Sequence, residues 1–250
     1  MFRLAAPALI ALGLAAPLQA LDLNAMSAEE RDAFRAEVRN YLMEHPEIIF
    51  EAVQAMEERQ AEAQAEADFS LVDVNRDAIF DDGFSHVAGN PEGDITLVEF
   101  TDYRCPYCRK ATPEIDKLLE QDGNIRFIIK ELPILGEASL AASRFAIATR
   151  QVEGGDAYEQ VHDALMAMNG EPDEARLRRL SDDLGLDTGA IIQRMDSDEV
   201  NNEIIRTREL AQRLQISGTP TFVLADEMIR GFVPAEQLAV MVAEKRERDQ

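Results

Sequence analysis

Cysteine is almost missing from this chain. There are two in 250 residues, Cys105 and Cys108. Two cysteines exclude a multi-bridge disulfide framework and supply only half of a four-cysteine zinc site. Histidine is also scarce, and His45, His86 and His162 are not paired by spacing in any metal-binding pattern. Basic side chains are outnumbered, 25 against 48 acidic, for a formal net charge of −23. Nucleic acid is therefore not an expected partner, because binding phosphates requires Lys and Arg. Acidity of this degree mainly confers solubility. The chain has no internal repeat.

The N-terminus bears on the compartment. Met1-Phe2-Arg3 is a short basic start, Leu4 to Pro17 is apolar and uncharged, and Leu18-Gln19-Ala20 ends on a small residue. This is the pattern of a secretory signal peptide over residues 1–20. The apolar run is shorter than the roughly 20 residues of a transmembrane helix, so cleavage is favoured over a retained anchor. No cysteine follows the expected cut, which gives no support to a lipid-anchored form. Removing residues 1–20 removes one charged residue, Arg3, and leaves 24 basic against 48 acidic side chains. The expected location is the periplasm, an oxidising space where disulfides form and persist.

Residues 21–68 read as a separate helical segment. Ser27-Ala28-Glu29-Glu30 is a capping box. Phe34, Val38, Tyr41 and Leu42 fall on one helix face. His45-Pro46 interrupts the helix, and Pro46 opens a second one with Ile49, Val53 and Met56 on a face. Two such helices have too little core to stand alone. Their apolar face must cover the main domain or meet another copy of the chain, so the segment is a candidate oligomerisation element. Its Ala, Glu and Gln-rich end suits a semi-rigid helical linker.

Residues 69–250 read as one α/β domain. Ile95 to Thr101 is nearly continuous in apolar character, as in a central strand covered on both faces. A helix to about Gln121 and a strand over Ile125 to Leu132 complete a right-handed βαβ unit. His86-Val87-Ala88 is a candidate edge strand. A helical region of about 137–214 follows, then two strands around a tight turn and a closing helix from Pro234 to Arg248. The order is βαβ, helical insert, ββα, which is a thioredoxin fold with a helical insertion.

The chemistry is expected at Cys105-Pro106-Tyr107-Cys108, where the first strand gives way to a helix. A thiolate, not a thiol, attacks disulfides. Unpaired backbone N–H groups and the helix dipole favour negative charge at Cys105, which reads as the exposed nucleophile. Cys108, one turn further in, reads as the buried resolving thiol. Pro106 fits the first helical turn, and Tyr107 brings no positive charge to the sulfurs. A purely structural disulfide is disfavoured, because closing so small a ring constrains the unfolded chain little. Thr219-Pro220 precedes the third strand and is expected to be a cis peptide facing the cysteines. Glu99 and Lys130 lie in neighbouring strands. They form either a buried pair that tunes the thiols or two solvated strand-end charges.

The segments Val98 to Cys108, Lys130-Glu131-Leu132-Pro133-Ile134-Leu135-Gly136 and Gly218-Thr219-Pro220-Thr221-Phe222 together resemble the DsbA-like thiol-disulfide oxidoreductases of the bacterial periplasm. The resemblance covers about residues 70 to 250. It implies Cys105 as nucleophile, Cys108 as resolving thiol, Pro220 as the cis-proline, and Glu99 with Lys130 as a charged pair beneath the site. It implies no cofactor. The best-known oxidase of the group has His in the dipeptide and Val before its cis-proline. Tyr107 and Thr219 instead resemble the disulfide isomerases and the suppressor-of-copper-sensitivity branch, whose members carry an N-terminal helical extension like residues 21–68. The expected activity is oxidation or isomerisation of cysteines in exported proteins, with a membrane redox partner and a homo-oligomer built through 21–68. The branch also implies an alternative, Cu(I) held by the thiolates of Cys105 and Cys108. A plain dithiol oxidase is the other alternative.

Overall fold

The computed structural model describes residues 25–248. The expected signal peptide, residues 1–20, lies outside them. Contacts divide the chain into two compact units, with the division between Arg59 and Gln60.

The first unit holds helix α1 (Ala28–Glu44) and the start of α2 (Glu47–Val74). The capping box forms at α1. Glu30 N donates to Ser27 Oγ at 3.2 Å, and Ser27 N donates to Glu30 Oε2 at 2.9 Å. No residue of α1 is buried. Phe34, Val38 and Tyr41 of α1 and Ile49, Phe50, Val53 and Met56 of α2 are all exposed. The boundary expected at 68/69 falls inside α2, which runs unbroken to Val74; its last turns are held by the Asp68–Arg230 ion pair and by Val72 in the core.

The second unit is built on a five-stranded sheet in the order β1-β3-β2-β4-β5. The strands are β1 (His86–Gly89), β2 (Ile95–Thr101), β3 (Ile125–Glu131), β4 (Thr221–Leu224) and β5 (Glu227–Arg230). The central β2 and β3 are parallel and joined by α4 (Pro106–Gln121); the other pairings are antiparallel. Helix α3 (Arg76–Phe80) precedes β1. Between β3 and β4 lie α5 (Glu137–Glu153), α6 (Gly155–Ala167), α7 (Glu174–Asp183), α8 (Thr188–Met195) and α9 (Asp198–Arg213), and α10 (Ala235–Arg248) closes the chain. This is the thioredoxin fold with its helical insertion.

Strand parity sorts the core. On one face Leu97, Phe127, Ile129, Phe222 and Leu224 pack with residues of α4, α5, α6 and α10. On the other Val98, Phe100, Ile128 and Val223 pack with Val72 of α2, Ile79 of α3, Leu210 of α9 and Leu214 just after it. The turn before β2 needs glycine at Gly93, where a Cβ would lie 2.5 Å from Arg126 N.

Lys130 and Glu99 do not form the expected pair. In the β2–β3 register Glu99 stands beside Ile129, whereas Lys130 stands beside Phe100. One residue of offset puts the two side chains on opposite faces of the sheet. Lys130 is 1% exposed and finds a different acid: Nζ donates to Asp82 Oδ2 at 2.6 Å, Ala78 O at 3.1 Å and Ser85 Oγ at 3.3 Å. Burial holds the Lys130 ammonium below its ordinary pKa, against the pull of Asp82. Burial acts to raise the Asp82 carboxyl, but Lys130 and the Ser85 hydrogen bonds leave it below its usual value. Lys130 therefore anchors the α3–β1 loop and is not under the cysteines. Asp82→Ala, which strands a buried ammonium, is expected to destabilise the protein by roughly 3–5 kcal/mol in denaturant unfolding.

Candidate active site

The cysteine turn is held by Asp102, which follows β2 directly. Its backbone carbonyl accepts from Cys105 N at 3.0 Å, and its Oδ1 accepts from Arg104 N at 2.8 Å. The same buried carboxylate accepts from Ser139 Oγ at 2.7 Å, Ile134 N at 2.8 Å and Leu135 N at 3.1 Å. Asp102 thus locks the turn to the loop after β3 and to the start of α5. Its short side chain bonding two residues onward is an Asx turn, a signal that was legible in the sequence.

Cys105 is the N-cap of α4 and Pro106 its first residue, so unpaired N–H groups of the first turn stand beside the sulfur. The structure brings the cis-proline loop onto it. Thr219-Pro220 is cis, and the Cys105 thiol donates to Thr219 O at 3.1 Å. Cys105 was expected to be exposed; it is only 6% exposed, with the cis-proline loop against its sulfur. Tyr107 is 62% exposed beside it, and Ile134 and Leu135 are exposed apolar residues of the loop tied to Asp102. Cys108 is fully buried. Burial, and then the charge of Glu99, push its thiol well above the ordinary value, against the Asp102 backbone and the Thr101 and Thr219 side chains.

Glu99 lies on the Cys108 side of the sheet and is 2% exposed. Burial pushes its carboxyl up to about 8, opposed by the nearby Thr101 hydroxyl and reinforced by the charges of Glu131 and Asp116. In this geometry neither Glu99 Oε1 nor Thr101 Oγ1 makes a hydrogen bond among the described residues. An acid with a raised pKa, on the same side of the sheet as a buried thiol whose titration its charge affects, can take a proton when ionised and return it.

A second buried acid has no counterpart in the sequence reading. Glu131 Oε1 accepts from Tyr103 OH and Tyr158 OH, both at 2.7 Å, and Oε2 accepts from Ser143 Oγ at 2.8 Å. Burial outweighs these bonds and pushes Glu131 up to about 7. Tyr103 spends its one proton on Glu131, so His162 Nδ1, 3.1 Å away, must donate to the Tyr103 oxygen. Burial and then His86 hold His162 down at about 4, so it is neutral. Among the described residues no cluster of three or more His, Cys, Asp or Glu could hold a metal ion, so a Cu(I) ion at the two thiolates would find no third ligand of those types.

These features define a thioredoxin-fold dithiol site. Residues 96–243 match the DSBA-like thioredoxin domain, and the chain belongs to that family. Residues 30–63 match the copper resistance protein ScsC N-terminal domain. A thioredoxin-like oxidoreductase from Silicibacter pomeroyi is 44% identical, covering 69% of this chain and 98% of that one, with a TM-score of 0.65. A linker-deletion mutant of Proteus mirabilis ScsC is 29% identical, covering 91% of this chain and all of that one, with a TM-score of 0.66. Among curated proteins, a Na(+)/H(+) antiporter NhaA 3 from Salinispora tropica is 30% identical over 157 residues, covering 63% of this chain. The chain spans about a quarter of the length of that antiporter and of the next one it matches. Among the described residues no helix is long and apolar enough to cross a membrane.

Proposed function

We propose that this chain is an exported, periplasmic protein thiol-disulfide oxidoreductase that isomerises disulfides in other exported proteins. The observation that carries the reading is the Cys105 sulfur at the N-terminus of α4, against the Thr219 carbonyl of a cis-proline loop, with Cys108 one turn inward on the Glu99 side of the sheet.

The Cys105 thiolate attacks one sulfur of a client disulfide. A mixed disulfide forms and the other client sulfur leaves as a thiolate. In isomerisation that thiolate attacks a second client disulfide, and the mixed disulfide is resolved by a client thiolate with the pair left reduced. In reduction Cys108 passes its proton to the ionised form of Glu99 and attacks the Cys105 sulfur. The client's second thiolate departs, and two electrons have moved from the pair to the client. Oxidation is the reverse. The backbone of Thr219 offers an extended client segment a hydrogen-bonding edge. A membrane redox partner resets the pair.

Tyr107 and Thr219 support isomerisation over plain oxidation, since Tyr107 supplies no positive charge to hold the thiolate. Refolding of scrambled ribonuclease by the full chain, together with the redox state of the pair in cells, tests this. Isomerisation with a reduced pair is expected; an oxidised pair that only introduces disulfides would overturn it.

Isomerase action gains from several sites on one assembly. The exposed apolar residues of α1 and α2 support self-association through residues 21–68. Light scattering is expected to show an oligomer that becomes a monomer when that segment is deleted. A full-length monomer would refute the assembly.

A further inference from the structure

Away from the sulfurs, a cavity of about 500 Å³ opens between α4, α6 and the sheet. Its lining holds five carboxylates, Glu99, Asp116, Glu120, Glu159 and Asp163, and no Lys or Arg. The one other titratable lining group is the neutral imidazole of His162. Asp116, Glu120, Glu159 and Asp163 are exposed at the rim, whereas Glu99 is buried. Glu159 is bonded to His86 Nε2 at 2.9 Å. Asp116, Glu120 and Asp163 have no ion-pair partner among the described residues. Burial and mutual repulsion raise both Asp116, through Asp163 and Glu120, and Asp163, through Glu159.

The independent observation is Glu99 itself. It lines this cavity, and its Oε1 is buried with no hydrogen-bond partner among the described residues. Leaving a buried polar atom unpaired costs on the order of 1–3 kcal/mol, and a donor entering the cavity would remove that cost. Between floor and rim the walls are apolar, formed by Ile115, Leu119, Phe127 and Ile129. A metal ion does not fit, because no three of these groups converge. An alkyl chain with a cationic N–H donor at each end fits all three zones: one ammonium at Glu99, methylenes along the walls, the other ammonium at the acidic rim. The volume lies within the usual range for small-molecule sites.

We propose that this cavity binds a linear aliphatic diamine in its diammonium form. Binding there depends on the cavity, whether or not the cysteines exchange disulfides.

Isothermal titration of the full chain with putrescine, at an ionic strength of about 0.15 M, tests it. Saturable binding at one site is expected, with butylamine weaker because it has one ammonium. Asp116→Asn combined with Asp163→Asn, both at exposed positions, is expected to weaken binding about tenfold or more. Asp163→Asn alone reads the same site if the double variant fails to fold. Glu57→Gln with Glu58→Gln, on α2, removes the same charge elsewhere and is expected to leave binding unchanged. Absence of saturable binding, equal binding of butylamine, or equal losses in the cavity and α2 variants would each overturn the proposal, the last by assigning the effect to net charge.

Discussion

Cys105→Ser is expected to lower disulfide-exchange activity by roughly 100-fold or more, to the uncatalysed background, in insulin reduction and in ribonuclease refolding. The hydroxyl is a poor nucleophile, and Cys108 cannot replace the thiol. Cys108 is fully buried, and its thiol is held in the protonated form by burial and by Glu99. Cys108→Ser should behave differently. Cys105 keeps its place at the N-terminus of α4, attacks, and stays linked to the client, so mixed disulfides should accumulate on non-reducing gels. Reduction should fail in that variant, while isomerisation, which lets the client's own thiol resolve the intermediate, should persist in part. Wild-type-like activity of Cys105→Ser would sink the assignment of the nucleophile and with it the proposed function. Fold loss is not the expected cause of inactivity, since serine is smaller and the thiol's polar contact among the described residues is to Thr219 O.

The sheet and its two-sided core were legible because β2 and β3 are apolar runs with clear ends, and the cysteine turn was legible because strand, Cys-x-x-Cys and helix follow one another directly. The Glu99–Lys130 pairing was not, because it turns on register. Sequence shows that two strands neighbour each other, but a shift of one residue moves a side chain to the other face. Placing Glu99 beside Ile129 separates it from Lys130 and leaves it without a cation. Lys130 in turn meets Asp82, in a loop with no sequence signal beyond its turn residues. Glu131 was hidden for a related reason. Its partners Tyr103, Ser143 and Tyr158 come from three separate elements, and nothing local announces that they converge. Asp102, by contrast, bonds two residues along the chain, and its Asx turn could have been read beforehand. The extent of α2 was not legible because its last turns are held by distant partners, Asp68 by Arg230 and Val72 by the core, which nothing local announces.

Glu99→Gln is expected to raise stability while slowing resolution by Cys108. In the unfolded chain Glu99 titrates near 4.5, and in the folded protein near 8. Below pH 4.5 both states carry the proton, so this group adds no pH dependence. Between the two values the folded state keeps a proton that the unfolded state has released. Stability then falls with pH, by about 1.4 kcal/mol per unit, reaching on the order of 5 kcal/mol near pH 8. Above that both states are ionised and the loss is constant. Glutamine does not titrate, so its variant lacks this slope. With the cysteines kept reduced, guanidinium unfolding should give similar stabilities near pH 4.5 and a gap of several kcal/mol in favour of Glu99→Gln at pH 8. Equal stabilities at both pH values would mean that Glu99 is not held protonated by burial. The kinetic readout separates function from packing. Glutamine has nearly the same shape but cannot accept the Cys108 proton, so mixed disulfide should accumulate during insulin reduction although the protein is more stable. A carboxyl that weakens the fold, lacks a cation and acts on the buried thiol that must lose its proton to resolve the intermediate is better explained by that proton than by the core it occupies.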